Sequence, residues 1–138
     1  MKIFIICSKA FYGEIPKIKG ILEKAGHTVT LPNSYEDPFS EDKFRDRGEK
    51  IHAKWKKEMF LKSMDIIEQS DAVLVLNFEK NGIKNYIGGA TFLEMYDAFR
   101  MGKKIFIYNQ IPEGMLKDEI IGFNPKVLNS DLKILTSI

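Results

Sequence analysis

A run of five consecutive apolar residues, 72–76, is the feature that most constrains the fold of this chain. Asp71 precedes the run and Asn77 closes it, so the apolar stretch has the length of a β-strand. A strand that is covered on both faces of its sheet is continuously apolar, and such coverage is typical of parallel sheets flanked by helices. The run therefore predicts a buried strand of a parallel sheet.

Short apolar runs alternate with segments of helical periodicity along the rest of the chain. Strands are predicted at 3–7, 27–31, 71–77, 103–108 and 126–128. Helices are predicted at 14–25, 49–69, 90–101 and within 112–121, and 32–48 is a long loop that could begin a helix after Ser40. This alternation predicts one doubly wound α/β domain over residues 1–138, flavodoxin-like or Rossmann-like, with about five mostly parallel strands and helices on both faces.

Composition and charge exclude several classes of protein. The 138 residues include 21 basic and 19 acidic side chains, and the net charge of +2 gives no reason to expect nucleic-acid binding. One cysteine and two histidines exclude a disulfide framework and the common zinc clusters. No apolar run reaches the roughly 18 residues of a membrane span, and the apolar start at 3–6 is too short for a signal peptide. We expect a cytoplasmic protein with no metal, nucleic-acid or membrane partner.

Ligands of doubly wound sheets bind beyond the carboxyl ends of the strands. This rule selects the loops 7–13, 32–40, 77–91 and 109–113. Neither G-x-G-x-x-G nor G-x-x-x-x-G-K-S/T occurs, so dinucleotide and P-loop sites lose their main support and no cofactor is expected. Within 77–91, however, Gly88 and Gly89 directly precede a predicted helix. They allow close approach of a ligand to the backbone, and the start of a helix favours an anion; a plain turn is the alternative.

Glu94 stands out on that predicted helix. At about 100° per residue, it shares one broad arc with residues expected to face the core: Ala90, Thr91, Met95, Ala98, Phe99 and Met101. A carboxylate at such a position costs free energy unless it is hydrogen-bonded, paired or functional. Glu94 is therefore either a functional group or a structural one that reaches solvent or caps the start of the helix.

The segment around Glu94 resembles the nucleoside 2-deoxyribosyltransferase superfamily, which includes the deoxynucleoside-monophosphate N-glycosidases. The resemblance covers the strand 71–77, the turn and small residues before Glu94, then Ala98 and Gly102-Lys103 ahead of an apolar strand. It implies that Glu94 is the nucleophile that attacks the anomeric carbon of a nucleoside or nucleotide, displaces the base and forms a glycosyl ester. The chemistry agrees, because a carboxylate stabilises or captures an oxocarbenium-like centre.

Two positions depart from the pattern of that superfamily. Gly88 stands where the transferases commonly carry an aspartate and the nucleotide-hydrolysing branch often carries a serine, and Tyr96 stands where glycine is frequent. These departures favour an alternative in which the chain is a non-catalytic nucleotide-binding or sensing domain on the same fold.

The leaving base needs a proton or a hydrogen bond, and the sequence offers several donors for it. Asp97 lies one turn after Glu94, and Tyr12, Tyr86 and Asn77 lie in other loops. The sequence does not choose between them, and a solvated surface position is the alternative for Asp97. Asn77 closes the central strand, so it would contact either a ligand or its own loop.

The loop after the first strand supplies further candidates for substrate binding. Ser8 can donate to an oxyanion, Lys9 adds positive charge, and Tyr12 could cover a base. An ordinary strand-to-helix loop is the alternative. Cys7 ends an apolar run, so it is expected to be a buried core thiol.

An apolar stripe of Trp55, Met59 and Phe60 on the basic helix 49–69 exceeds what one small sheet needs to cover it. Relatives in the superfamily assemble so that a neighbouring subunit completes the pocket. Together these points predict a homodimer or a higher homo-oligomer.

Overall fold

The computed structural model of the protein describes residues 1–136 and contains one five-stranded sheet in the order β2-β1-β3-β4-β5, in which every neighbouring pair is parallel. The strands are β1 (Lys2–Ile6), β2 (Thr28–Thr30), β3 (Ala72–Val75), β4 (Lys104–Ile107) and β5 (Lys126–Val127). The helices are α1 (Ile15–Lys24), α2 (Ser40–Asp46), α3 (Glu49–Gln69), α4 (Gly89–Arg100), α5 (Lys117–Gly122) and α6 (Lys133–Thr136), with a 3₁₀ helix at Lys9–Glu14. This strand order confirms the predicted flavodoxin-like sheet.

The buried centre of the sheet explains why β1 and β3 are continuously apolar. Ile3 pairs in register with Ala72, and Ile6 pairs with Val75. Successive side chains of a strand point to opposite faces, so β1 contributes to two separate cores. Ile3 and Ile5 pack on the face covered by α1 and α6, whereas Phe4 and Ile6 pack on the face covered by α3, α4 and α5.

The predicted ends of the helices agree with the structure to within one or two residues. Pro16 lies in the first turn of α1 and Gly26 follows that helix with a φ of +95°, a left-handed conformation that glycine adopts without steric strain. The bounds of α3 are those predicted, and α2 begins at Ser40. The 3₁₀ helix at 9–14 and the four-residue α6 were not predicted.

The direction of strand order reverses between β1 and β3, and this reversal determines where a ligand can bind. The chain leaves β1 toward α1 and β2 on one side, and it leaves β3 toward α4 and β4 on the other. The loops after β1 and β3 therefore diverge and leave a cleft at the carboxyl edge of the sheet.

The apolar stripe of α3 corrects part of the argument for an oligomer. Trp55 is only 8% exposed, because α2 covers it and the ring of Phe44 stacks on the indole with centroids 5.9 Å apart. Trp55 is therefore covered by its own chain and does not need a second copy to bury it. Phe99 of α4, predicted to face the core, is 48% exposed.

Residues 1–136 contain neither a membrane-spanning helix nor a cluster of metal-ligating side chains. None of the helices there is both long and apolar enough to cross a membrane. The same residues bring together no group of three or more His, Cys, Asp or Glu side chains that could hold a metal ion.

Candidate active site

The cleft at the carboxyl ends of β1 and β3 encloses a cavity of about 280 Å³. Its size is at the lower end of the range for small-molecule sites. Seven of the nine residues proposed from the sequence line it: Ser8, Lys9, Tyr12, Tyr86, Gly88, Gly89 and Glu94. Asn77 and Asp97 do not.

Glu94 lies on α4 at the side of the cavity where α4 meets α3. The Ser63 hydroxyl of α3 donates to Oε2 of Glu94 at 2.9 Å, and Ser63 itself is 5% exposed. Burial raises the pKa of Glu94 to about 7; the Ser63 hydrogen bond and the Lys56 charge oppose the rise, and the Asp97 charge adds to it. The carboxylate is thus poised to change its protonation state near neutral pH.

Glu94 does not cap the start of its helix. The N-cap of α4 is Gly88, and no side chain makes a cap hydrogen bond there. Glu94 lies more than one turn into α4 and bonds to α3 instead. This contact rules out the capping alternative and leaves a half-buried carboxylate that lines a cavity.

Asn33 supports Ser63, and both side chains line the cavity. The Asn33 side chain donates from Nδ2 to Ser63 Oγ at 2.8 Å and to the Met59 carbonyl at 3.2 Å. Neither Asn33 nor Ser63 was predicted from the sequence. A signal for Ser63 was present, because it lies midway between Met59 and Ile67 on the apolar face of α3, at a spacing of four residues.

The start of α4 presents backbone donors to the cavity. Gly88 is extended (φ −82°, ψ 172°), and the first helical hydrogen bond runs from Phe92 N to the Gly88 carbonyl at 2.9 Å. The cavity wall includes Gly88, Gly89, Ala90 and Thr91. Amide groups in the first turn of a helix have no partner within the helix, so this wall favours an anionic or strongly polar ligand.

Tyr86 occupies the space beside Gly88. A Cβ atom placed on Gly88 would lie 3.4 Å from the Tyr86 hydroxyl oxygen. Lys80 Nζ lies 4.7 Å from the centroid of the Tyr86 ring and 3.5 Å from Ser8 Oγ, to which it donates. Lys80, in the loop after β3, was also missed by the sequence analysis.

Positive charge is concentrated on the rim of the cavity, where Lys9, Lys56 and Lys80 all contribute to the lining. Lys9 pairs with Asp42 at 3.0 Å, and Lys56 lies 3.3 Å from Glu41 Oε2. Burial disfavours ionisation of Glu41, but hydrogen bonds from His52 and Lys56 and nearby positive charges prevail and hold the pKa of Glu41 below its ordinary value. Lys80 makes no ion pair among residues 1–136, so it is the lysine of the rim that lacks a carboxylate partner there.

Tyr12 and Cys7 complete the wall nearest β1. Burial, and to a smaller extent the acidic groups Cys7, Glu94 and Glu41, raise the pKa of Tyr12, so its hydroxyl stays protonated and can donate a hydrogen bond. Burial and the Glu94 charge raise the pKa of Cys7 to about 12, so the thiol stays protonated. Cys7 was expected in the core; it packs against the core while also lining the cavity, and it is not an activated nucleophile.

Asn77 and Asp97 lie outside the cavity, which corrects their assignment to substrate binding. Asn77 is fully buried; its Nδ2 donates to the Gln110 carbonyl and its Oδ1 accepts from Asn109 N, both at 2.8 Å. Its amide is therefore used to join the ends of β3 and β4. Oδ1 of Asp97 lies 3.9 Å from Nε of Arg100. Asp97 influences the site through the effect of its charge on the pKa of Glu94. Tyr12 and Tyr86 remain as donors in the cavity.

Comparison with known proteins identifies the fold. No protein-family model and no curated protein matches the sequence. Among solved structures, the chain is similar to a 2-deoxyribosyltransferase from the psychrotolerant bacterium Bacillus psychrosaccharolyticus, with a TM-score of 0.53 and 19% identity over 78% of this chain and 71% of the other. It is also similar to the CMP N-glycosidase BcmB of Clostridium botulinum, with a TM-score of 0.55 and 17% identity over 98% and 94% of the two chains. These similarities confirm the doubly wound α/β fold expected from the resemblance.

Proposed function

We propose that this protein breaks the N-glycosidic bond of a nucleoside or nucleotide, with Glu94 as the nucleophile, and passes the sugar to another base or to water. The observation that carries the proposal is the placement of the Glu94 carboxylate in the wall of a small cavity, where it is held by one buried hydroxyl group. The two structurally similar proteins, a 2-deoxyribosyltransferase and a CMP N-glycosidase, support this choice of reaction.

The reaction follows from the chemistry of an anomeric carbon. Oε1 of ionised Glu94 bonds to C1′ as the C1′–N bond breaks, and the electron pair of that bond stays on the base. The hydroxyl of Tyr12 or Tyr86 gives a proton to the leaving nitrogen. Water or an acceptor base then attacks C1′, the ester oxygen leaves as the Glu94 carboxylate, and the tyrosine regains its proton from the attacking group.

The groups at the rim of the cavity support the proposal that the substrate carries a phosphate. Lys80 and Ser8 lie together at the rim, and the amide groups at the start of α4 line the same cavity. These are the donor types that bind a phosphate group. A nucleoside 5′-monophosphate would place its phosphate near Lys80 and its sugar near Glu94.

A covalent trapping experiment tests this function. A nucleoside or nucleotide with fluorine at C2′ reacts slowly, because the fluorine withdraws electrons from the oxocarbenium-like centre. We expect the intact protein to gain the mass of one fluorinated sugar, or sugar phosphate, with the adduct on Glu94. The Glu94→Gln variant is the control and should gain no mass. An adduct on any other residue would contradict the assignment.

The second candidate is a non-catalytic nucleotide-binding domain, which the site beside Gly88 favours. The superfamily's sugar-holding aspartate is absent there, and the Tyr86 hydroxyl lies 3.4 Å from the position of a Cβ on Gly88. Ligands that bind the native state raise the melting temperature. Stabilisation by a nucleotide, with no free base detected by chromatography in any nucleoside or nucleotide reaction, would select this alternative.

We also propose that the protein works in the cytoplasm as a homo-oligomer. Leu93, Tyr96 and Phe99 form an outward strip on α4 and are each 45–48% exposed. This strip, rather than Trp55, is the apolar surface that a second copy would cover. Sedimentation equilibrium at micromolar concentration should give a mass of at least twice 15.9 kDa; a value equal to 15.9 kDa would contradict the proposal.

A further inference from the structure

Ser63 differs from an ordinary serine in a helix. Such a serine commonly donates its hydroxyl proton to the carbonyl group four residues earlier. Ser70, at the end of the same helix, does this: its hydroxyl donates to the Ile66 carbonyl at 2.7 Å. The corresponding carbonyl for Ser63 belongs to Met59, but the Ser63 hydroxyl donates to Glu94 instead.

Asn33 explains why the Ser63 proton points toward Glu94. The Met59 carbonyl can only accept, so the Asn33 atom 3.2 Å from it is the amide nitrogen, and this contact fixes the orientation of the amide group. The same nitrogen donates to Ser63 Oγ at 2.8 Å. Asn33 thus donates to the Met59 carbonyl, which is the usual acceptor of the Ser63 proton, and it also donates to a lone pair of the Ser63 oxygen. A hydroxyl has one proton, and Glu94 Oε2, at 2.9 Å, is the acceptor that remains.

A buried atom without a partner shows that Asn33 is not placed for stability alone. Its Oδ1 is inaccessible to solvent and makes no hydrogen bond to residues 1–136. An orphaned buried acceptor destabilises a folded protein. The structure keeps the amide group in spite of this defect, and the atom that makes contacts is the donating nitrogen.

We infer that Asn33 and Ser63 are a positioning pair, in which Asn33 directs the Ser63 hydroxyl to Oε2 of Glu94 and so leaves Oε1 to attack the sugar. The inference rests on the proposed function of Glu94. Both residues line the cavity, and in this role neither bonds to Oε1 of Glu94. Their effect is to hold the carboxylate in one rotamer and to stabilise its charge.

Other charged and titratable groups act on Glu94 from the elements packed around it. Asp97 on α4 raises the pKa of Glu94, and Lys56 on α3 lowers it. Cys7 and Tyr12 have raised pKa values and keep their protons near pH 7. Glu41, whose pKa is lowered, stays ionised there. Ser63, by contrast, carries no charge. Its removal takes a hydrogen bond from Glu94 without altering any of these charges.

The test compares Ser63→Ala, Asn33→Ala and the matched control Ser70→Ala, which removes an equally buried hydroxyl at the C-cap of the same helix. Ser63→Ala should lower kcat for base release by about 10–100-fold with little change in KM, because an oriented donor acts on the reacting carboxylate. The acidic limb of the kcat/KM profile should move up by about one pH unit, because the hydrogen bond favours the ionised form. Ser70→Ala should leave both kcat and the pH profile unchanged.

The double variant separates a pair from two independent residues. If Asn33 acts through Ser63, then Asn33→Ala combined with Ser63→Ala loses no more activity than Ser63→Ala alone. Asn33→Ala by itself should give a smaller loss than Ser63→Ala, because the freed hydroxyl can return to the Met59 carbonyl. Losses that multiply in the double variant, or an unshifted pH profile in Ser63→Ala, would overturn the inference.

A readout without substrate distinguishes failure of this inference from failure of the proposed function. In protein labelled with ¹³C at the glutamate carboxyl groups, the Glu94 signal is identified by its loss in Glu94→Gln. Its titration midpoint should rise in Ser63→Ala and in Asn33→Ala but not in Ser70→Ala. If the wild type releases no base and the midpoints still shift, the pair is correct and the reaction is wrong. If the midpoints do not shift, the pair is wrong, whatever the reaction.

Discussion

Two regions at the carboxyl edge of the sheet carry similar polar residues but use them differently. In the cleft between β1 and β3, polar side chains and the amide groups at the start of α4 face a cavity. Beyond β3 and β4, the polar side chains bind each other: Asn77 joins Asn109 and Gln110, Ser130 donates to Asn109, and Gln110 donates to Asn129. One region is open to a ligand and the other is closed.

The difference follows from strand order. The strands β3, β4 and β5 follow one another in the same direction, so their loops pack side by side and can satisfy one another's polar groups. Between β1 and β3 the direction of strand order reverses. The two loops still meet where Lys80 donates to Ser8 and Phe11 packs on Phe78, but other polar groups there face the cavity. A polar side chain at the end of a strand is therefore a functional candidate mainly where the strand order reverses.

The strongest test of this contrast is turnover by Glu94→Gln. This substitution keeps the shape of the side chain but removes the proposed nucleophile, so base release should fall by at least about 10³-fold. Asp97→Asn, just outside the cavity on the same helix, is the control and should lose less than about tenfold, because it changes only a charge near Glu94. Chromatography of the released base measures both. Base release by Glu94→Gln at the wild-type rate would make the cleft a binding site only.

Stability against pH gives the next largest effect. The pKa of Glu94 rises from 4.5 to about 7 on folding. The native state therefore loses stability relative to Glu94→Gln as the pH rises from 4.5 through about 7, and the deficit is constant above that. Since one pKa unit corresponds to about 1.4 kcal/mol, the variant should be more stable by on the order of 3 kcal/mol at pH 8 and about equal at pH 4. Urea unfolding at pH 4 and pH 8 measures the difference in unfolding free energy between the variant and the wild type. The same difference at both pH values would contradict the raised pKa of Glu94.

Asn77→Ala should show the opposite behaviour of the closed region. It removes two hydrogen bonds of a fully buried amide and leaves their partners unsatisfied, so it should destabilise the protein by about 2 kcal/mol. Nucleotide affinity should not change, because Asn77 does not line the cavity. Urea unfolding and a thermal-shift titration with a nucleotide measure these two quantities. Weaker nucleotide binding at unchanged stability would restore Asn77 to the site.

Lys80→Ala should have the smallest of these effects. Loss of one partly exposed cation should weaken binding of a nucleoside 5′-monophosphate by about tenfold, which is about 1.4 kcal/mol. Binding of the corresponding nucleoside should not change. Lys54→Ala, on the outer part of α3 away from this cavity, is the matched control. Equal losses for nucleotide and nucleoside would place the phosphate elsewhere.

The sequence predicted the sheet and the position of Glu94 because both depend on local periodicity. The continuous apolar runs of β1 and β3 and the helical spacing around Glu94 are patterns within a few residues of chain. Contacts across the fold were out of reach. Asn33, Ser63 and Glu94 are separated by 30 and 31 residues along the chain, and nothing local shows that they meet. Asn77 was misassigned because its direction depends on which loop lies next to it.

The short helix α2 has a consequence for how a ligand reaches the cleft. It has no buried residue, and it is held beside the cavity by the Phe44–Trp55 stack and by ion pairs from Glu41 and Asp42. Segments with so little buried surface detach at a small fraction of the free energy of global unfolding. Amide protons of α2 should therefore exchange with solvent far faster than those of β1 and β3. Because salt screens exposed ion pairs, the frequency of this detachment, and with it the traffic of ligands, would increase with ionic strength while the sheet stays intact.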